Sequence, residues 1–322
     1  MPLRGRRRKV PCGIARAGLP TRSLSLLAGG HINSNYAVEL ADGRKLVLRI
    51  CVNGHAAFDR EASMLRQLAR TVPAPALLFA SSETQIIPYP HMVLEWVDGI
   101  PLDEALTSSP SEAEEIGREI SEVLLALRRE RIDAPPPPSS MDHVRNSLVA
   151  LEGGRHLGPE KTARLLVVLE RRASECSLVL DEVCLVHGDF QGDNILLKKR
   201  GDDWRVSAVL DWEWAGNGCP LRDIGSLLRF AGPVANVFHH GLGRGLANGI
   251  PMLPSVWRSA AVLWDIAAHC EKLAFPRHRG RITTRSVYFI ENWLTANRDL
   301  DFGRLETDHG DESADQPREQ TR

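Results

Sequence analysis

The sequence comprises 322 residues, of which 43% are hydrophobic and 25% charged, with a formal net charge of -1. That length accommodates about two domains around sizeable cores, and the near-zero charge excludes a globally basic nucleic-acid or membrane-surface binder, so no nucleic-acid partner is expected. No uninterrupted apolar stretch approaches the ~20 residues of a membrane helix, so no membrane association is expected either.

Residues 1–97 carry 13 basic and 6 acidic side chains, a local charge of +7. Five of the positive charges fall within Arg4–Lys9, and Pro11, Gly13 and Gly18 break up the next stretch of chain. A flexible basic terminus over 1–22 is expected, with a nucleic-acid-binding arm as the alternative. It lacks the apolar run of a signal peptide, so the expected location is cytoplasmic. The six cysteines are scattered without a CxxC pair, which reads as reduced thiols rather than a disulfide or zinc framework.

Strands are expected from Ser23 to Ile50: Ser23–Ala28 leads into Gly29–Gly30, and Tyr36–Leu40 and Lys45–Ile50 flank an Asp42–Gly43 turn. A helix is expected next over Phe58–Arg70, with Phe58, Ala62, Leu65 and Leu68 on one stripe. Two further extended runs are expected at Leu77–Ala80 and Met92–Trp96.

Beyond Asp98–Gly99 the pattern turns helical. Ser111 and Glu114 are spaced as a capping box opening a helix with Ile116, Ile120, Val123, Leu124 and Leu127 on one face. Pro135–Pro138 reads as a stiff link. Further helices are expected at 142–151, 160–174, 222–231, 256–275 and 283–297. A strand-rich island, Val183–Val186, Ile195–Lys198 and Val206–Leu210, interrupts them. Gly241, Gly243 and Gly245 read as a flexible loop, since no strand precedes them and the spacing fails a dinucleotide fingerprint. The polar residues 306–322 are expected to be disordered. The expected organisation is therefore an N-terminal lobe over 23–97 and a larger helical lobe over 98–305.

The island carries the chemistry. It holds His187-Gly188-Asp189, then Asn194 five residues after the Asp, then Asp211-Trp212-Glu213 one hairpin later. Phosphoryl transfer needs a carboxylate that orients the attacking hydroxyl, which suits Asp189 as catalytic base. It also needs hard oxygen ligands for Mg²⁺, which suits Asn194 and Asp211. His187 reads as a brace for the loop, and Glu213 as either a second metal contact or an ion-paired structural residue.

These motifs resemble the aminoglycoside phosphotransferase and choline kinase-like small-molecule kinases, relatives of protein kinases. The resemblance spans roughly 23–300 and includes Gly216–Asp223, similar to the family's Gly-x-Pro-x-x-Asp, which makes Asp223 a helix cap and a brace for the catalytic loop. It implies an α+β, two-lobed, protein-kinase-like fold that uses ATP and Mg²⁺ to phosphorylate a hydroxyl of a small molecule: an aminoglycoside, amino alcohol, hydroxy amino acid or sugar. It further implies that Gly30, Ser34 and Asn35 lie at the phosphate-covering loop and that Arg49 takes the place of the phosphate-contacting lysine, with Glu61 as its partner. The backbone of Glu95 and Val97 would then meet the adenine edge. Arginine in place of lysine is the main departure, since it keeps the charge but alters reach and geometry. Asp265, Glu271 and Glu291 are contacts for a cationic acceptor, or else ordinary carboxylates. Asp301-Phe302-Gly303 spells a kinase magnesium motif but comes after the last helix, so it reads as a decoy. Two other classes compete: a nucleotide-binding pseudokinase, which would bind ATP without turnover, and a metal-dependent hydrolase, which would cleave monoesters without ATP.

Overall fold

The computed structural model describes residues 20–27, 33–52, 54–68, 71–83, 87–132, 156–176, 183–229, 232–250, 256–274 and 281–296. The expected helix at 142–151, the Pro135–Pro138 link, Gly29, Gly30, Asp301–Gly303 and the tail over 306–322 lie outside the described residues.

The N-terminal part is a five-stranded antiparallel sheet of order β1-β2-β3-β5-β4, with β1 at Thr21–Leu26, β2 at Ser34–Leu40, β3 at Lys45–Ile50, β4 at Leu77–Ser81 and β5 at His91–Glu95. The β2–β3 hairpin turns at Asp42–Gly43, where Gly43 has φ +84° and the Asp42 carboxylate accepts the Arg44 N–H at 3.0 Å. β1 begins at Thr21, inside the stretch expected to be flexible, because Thr21 pairs with Leu40 across the sheet. Strand alternation sorts the side chains by face. Leu46, Leu48 and Ile50 join Val38, Leu40 and Val93 in one core. Arg49 therefore points to the other face, towards α1 (His55–Leu68). In α1 the buried stripe runs Phe58, Glu61, Ala62, Leu65 and Leu68, so a carboxylate occupies a position that periodicity reserves for an apolar residue.

The C-terminal part is mostly helical. It begins with β6 (Ile100–Pro101) and α2 (Leu102–Ser108), followed by α3 (Ala113–Arg129) and α4 (Pro159–Cys176). The island supplies β7 (Cys184–Val186), β8 (Ile195–Arg200), β9 (Asp203–Val209) and β10 (Gly216–Gly218). β6, β8 and β9 form one small sheet and β7 and β10 another. α5 (Leu221–Leu228), α6 (Ala235–Gly249), α7 (Trp257–Ala274) and α8 (Arg281–Ala296) complete the described helices.

Two local expectations are corrected. The Ser111/Glu114 capping box does not form: Ser111 lies in a 3₁₀ turn at Pro110–Glu112, α3 starts after it with no side-chain cap bond, and Glu114 instead pairs with Arg244 at 3.0 Å. The glycine-rich stretch read as a loop is helix α6. A Cβ on Gly241 would stand 2.0 Å from the Glu114 carbonyl oxygen, and one on Gly245 1.8 Å from Ser121 Oγ. The glycines let the α3 and α6 backbones meet, and that packing overrides a propensity cost of about 1 kcal/mol per glycine. Trp257 is buried, whereas Trp264 and Trp293 are partly buried against the core.

One core runs continuously from α1 through β8, β9 and α3 to α5, α6 and α7, and a second joins α4, α7 and α8. Among the described residues, no helix is long and apolar enough to cross a membrane.

Candidate active site

The loop after β7 is shaped from beneath by Asp223, in the first turn of α5. Its carboxylate is fully buried and accepts the N–H groups of His187 (2.7 Å) and Gly188 (2.9 Å). Burial raises the Asp223 carboxyl above its ordinary value, against the pull of those donors. Asp223 thus braces the loop of His187–Asp189 as expected. It does not cap the helix, because the N-cap position belongs to Pro220 and carries no side-chain bond. Gly188 has φ +82°, and a Cβ there would lie 2.5 Å from the Trp214 carbonyl oxygen, so the middle residue of His-Gly-Asp has no room for a side chain.

His187 is fully buried, edge-on to Trp212 with ring centroids 4.7 Å apart. Its Nδ1 accepts the Asp189 N–H at 3.3 Å, which places the ring proton on Nε2, 2.9 Å from the Leu210 carbonyl it donates to. The ring braces the loop instead of facing a substrate.

Asp189 is held at both oxygens. Oδ2 accepts Gln191 Nε2 at 3.0 Å and Asn194 Nδ2 at 3.2 Å, and Oδ1 accepts Lys272 Nζ at 2.8 Å. Burial pushes this carboxyl up, but the Lys272 ammonium and its hydrogen bond outweigh burial, and the group is held at about 2. Asp189 is therefore ionised across the physiological range.

Asn194 is fixed by a second bond from Nδ2 to the Asp189 carbonyl at 2.9 Å, and its own carbonyl accepts the Leu210 N–H at 2.8 Å. That last bond joins the loop to the end of β9, where Asp211 stands next in the chain. Asp211 has φ 69° and ψ 64°, and it is the lone non-glycine residue at positive φ among the described residues. This left-handed step turns the chain out of the strand.

Asp211 meets Arg49 there. Arg49 Nη2 bonds Asp211 Oδ1, Nε bonds Glu61 Oε2 at 2.9 Å, and Nη1 reaches Asn35 Oδ1 at 3.5 Å. Glu213 Oε2 lies 4.0 Å from Nη2 and accepts Asn33 Nδ2 at 2.9 Å. Asn33 in turn accepts the Val52 N–H at 3.1 Å, and Arg60 donates to the Glu213 carbonyl at 3.2 Å. Burial opposes the charge on Arg49, but Glu61, Asp211 and Glu213 together raise its pKa. Burial likewise raises Glu61, 1% exposed, despite its guanidinium partner.

Asp189, Asn194, Arg49, Glu61 and Asp211 thus share one hydrogen-bonded frame, joined by Asn35. Ser34 is the first residue of β2, opposite Ile50. Glu95 ends β5 with its side chain exposed, and Val97 lies in the connection 96–99 to β6. Gly30 lies outside the described residues. Among the described residues, no cluster of three or more His, Cys, Asp or Glu side chains is placed to hold a metal ion. The candidate set is instead one carboxylate and one amide oxygen. Hard oxygens of that number suit a cation that keeps several waters and takes its remaining ligands from phosphates, as Mg²⁺ does.

Sequence reasoning assigned no role to Gln191, Asn33 or Lys272. The first two lie inside the motifs already singled out, and their polarity was the available signal. Lys272 sits 83 residues from its partner in the last turn of α7, where a lysine ordinarily reads as a complement to the helix dipole. The three carboxylates weighed as contacts for a cationic acceptor are each ion-paired within the chain: Asp265 with Arg229 (3.1 Å), Glu271 with Arg222 (2.8 Å) and Glu291 with Lys161.

The model of the phosphotransferase enzyme family matches residues 23–262. Viomycin phosphotransferase of Streptomyces vinaceus is 30% identical over 151 residues, covering 43% of this chain and 49% of that protein, so the match spans about half of that relative's length. A stretch of 50 residues, 16% of this chain, is 50% identical to 6% of acyl-CoA dehydrogenase family member 11 of Rattus norvegicus. Among solved structures, an ADP-bound aminoglycoside phosphotransferase, APH(2'')-Ib, superposes with a TM-score of 0.64 at 16% identity, over 92% of this chain and 99% of that one. A thermostable aminoglycoside phosphotransferase APH(4)-Ia in ternary complex with AMP-PNP and hygromycin B gives 0.65 at 16% identity, over 90% and 97%. At such identities these likenesses establish the two-lobed kinase-like fold.

Proposed function

The chain belongs to the phosphotransferase enzyme family, and from that premise we propose that it transfers the γ-phosphoryl group of ATP to a hydroxyl of a small molecule, in the cytoplasm and with Mg²⁺. The observation that carries this reading is the continuous frame from Asp189 through Asn194 to Asp211 and Arg49, which brings two carboxylates, an amide and a guanidinium to one place.

Gly30, together with Ser34 and Asn35 at the start of β2, would cover the phosphates. Arg49 would neutralise them while Glu61 holds its guanidinium in place, and the backbone at Glu95 and Val97 would hold the base edge. Asn194 Oδ1 and the Asp211 carboxylate would hold Mg²⁺, which when bound neutralises charge on the phosphate oxygens. Asp189 receives the acceptor hydroxyl. A carboxyl held at about 2 is a weak proton acceptor. In a loose, metaphosphate-like transfer, however, the proton leaves late and the first demand on Asp189 is to aim the hydroxyl. The acceptor oxygen bonds phosphorus, the bond from the γ-phosphorus to the bridging oxygen breaks, ADP departs, and the hydroxyl proton passes to Asp189.

The test is ATP consumption by purified protein against viomycin, hygromycin B, amino alcohols, hydroxy amino acids and sugars. Turnover with at least one acceptor is expected. Asp189→Asn is expected to lower kcat by about 10²–10⁴-fold while leaving ATP affinity within a few-fold. ATP binding by the wild type without turnover on any acceptor would refute the enzyme reading.

A further inference from the structure

The face of α7 turned towards Asp189 is polar although it is buried. Asp265, His269 and Lys272 succeed one another at spacings of four and three, so they stand on one face in successive turns. Asp265 is 6% and His269 3% exposed. Asp265 Oδ2 lies 3.1 Å from Arg229 Nε and 3.9 Å from His269 Nε2, Arg229 Nη1 lies 3.2 Å from His269 Nε2, and His269 Nδ1 pairs with Ser286 Oγ at 3.0 Å. Polar side chains are seldom buried unless each is partnered, and this row is partnered throughout. It ends at the Lys272 ammonium, 2.8 Å from Asp189 Oδ1.

The donors around Asp189 show what that contact does. An ionised carboxylate offers about four acceptor positions, two on each oxygen. Gln191 and Asn194 fill Oδ2, while among the described residues Lys272 is the donor that reaches Oδ1. The remaining position is therefore on Oδ1, beside an ammonium group with two further N–H donors.

We infer that Lys272 is a positioning residue for phosphoryl transfer. It fixes the Asp189 carboxylate so that Oδ1 takes the acceptor hydroxyl, and it sets a positive charge beside the attacking oxygen. This rests on the proposed kinase reading and adds to it the proton-receiving atom. As the acceptor oxygen bonds the γ-phosphorus and the bond to the bridging oxygen of the departing diphosphate breaks, the hydroxyl proton moves to Oδ1. The Lys272 ammonium keeps its own protons throughout.

The experiment measures kcat and the KM for ATP of wild type, Lys272→Met, Lys272→Gln and Lys272→Ala with whichever acceptor of the panel turns over, alongside thermal melts. Loss of one charge-assisted hydrogen bond at the base predicts a kcat about 10- to 100-fold lower in the Met and Gln variants, with the KM for ATP within about twofold. Propylammonium added to Lys272→Ala is expected to restore part of kcat, which a packing role would not allow. Should Lys272→Met fail to fold, Lys272→Gln carries the same comparison. A wild-type kcat in the folded Met or Gln variant overturns the inference, and so does a reduced kcat with no response to the amine. In either case the kinase reading stands, because the wild type turns over. A wild type inert towards every acceptor removes the kinase reading and this inference together.

Discussion

Replacing Arg49 with methionine removes a cation that faces three carboxylates, Glu61, Asp211 and Glu213. Glu61 is 1% exposed and loses its 2.9 Å partner, and Glu213, 5% exposed, loses the charge 4.0 Å away. Stranding a buried charge in this way costs about 3–5 kcal/mol. For a domain of this size each kcal/mol is worth about 2–4 °C, so Arg49→Met should melt about 6–20 °C below wild type. The sign of the pH dependence is set by Glu61. Its folded pKa already lies above the unfolded 4.5 because burial disfavours the charge, so its contribution to stability is greatest below 4.5 and falls as pH rises. Without Arg49 that pKa moves further up, and the deficit should be larger at pH 8 than at pH 5.5. The assay is thermal unfolding by circular dichroism at both pH values, with Glu61→Gln and the double variant. The double variant should melt above Arg49→Met, since the stranded charge is gone. An Arg49→Met melt within about 2 °C of wild type at pH 8, or a double variant no better than Arg49→Met, would refute the reasoning.

Two further outcomes test the scaffold. Gly241→Ala gains helix propensity but drives a Cβ to 2.0 Å from a backbone oxygen of α3, whereas Gly243→Ala meets only side chains, the ring edge of Trp257 at 3.2 Å and Arg258 Nη2 at 3.6 Å. The first should lower stability by about 1–3 kcal/mol and the second should stay near neutral. Equal melting of the two would show that the close approach of α3 and α6 is not what those glycines serve. Burial and the nearby Arg229 and Lys272 hold His269 down to about 2, well under its ordinary 6.5. The folded state therefore binds fewer protons than the unfolded one below 6.5, and stability should fall by about 1 kcal/mol per pH unit on acidification from there. His269→Gln should flatten that limb in urea unfolding from pH 7 to pH 4. An unchanged slope would assign the acid sensitivity to other groups.

Much of the fold was legible because its signals are local. The Asp42–Gly43 turn between apolar runs announces a hairpin, and the Phe58, Ala62, Leu65, Leu68 stripe announces α1. The spacing from Asp189 to Asn194 and the single hairpin to Asp211 announce a shared site. The misreadings arise where distant packing decides. Helix α6 is poor in propensity, and α3, more than a hundred residues earlier in the chain, is what makes glycine the residue that fits. Ser111 and Glu114 satisfy a capping pattern, yet Pro110 opens a 3₁₀ turn ahead of α3 and Arg244 draws Glu114 away. Lys272 leaves no trace in α7, because its meaning lies in Asp189 and nothing near it in sequence points there.

The left-handed backbone at Asp211 narrows what can stand at that position. Such a conformation costs a non-glycine residue about 1–3 kcal/mol, and branched or bulky side chains are effectively barred from it, which leaves glycine, asparagine and aspartate as candidates. Glycine would relax the backbone but present no oxygen to a cation and nothing to Arg49. Asparagine would keep an oxygen but lose the charge that answers the guanidinium. Two unrelated filters, one conformational and one electrostatic, therefore overlap on a single amino acid, and neither alone would single it out.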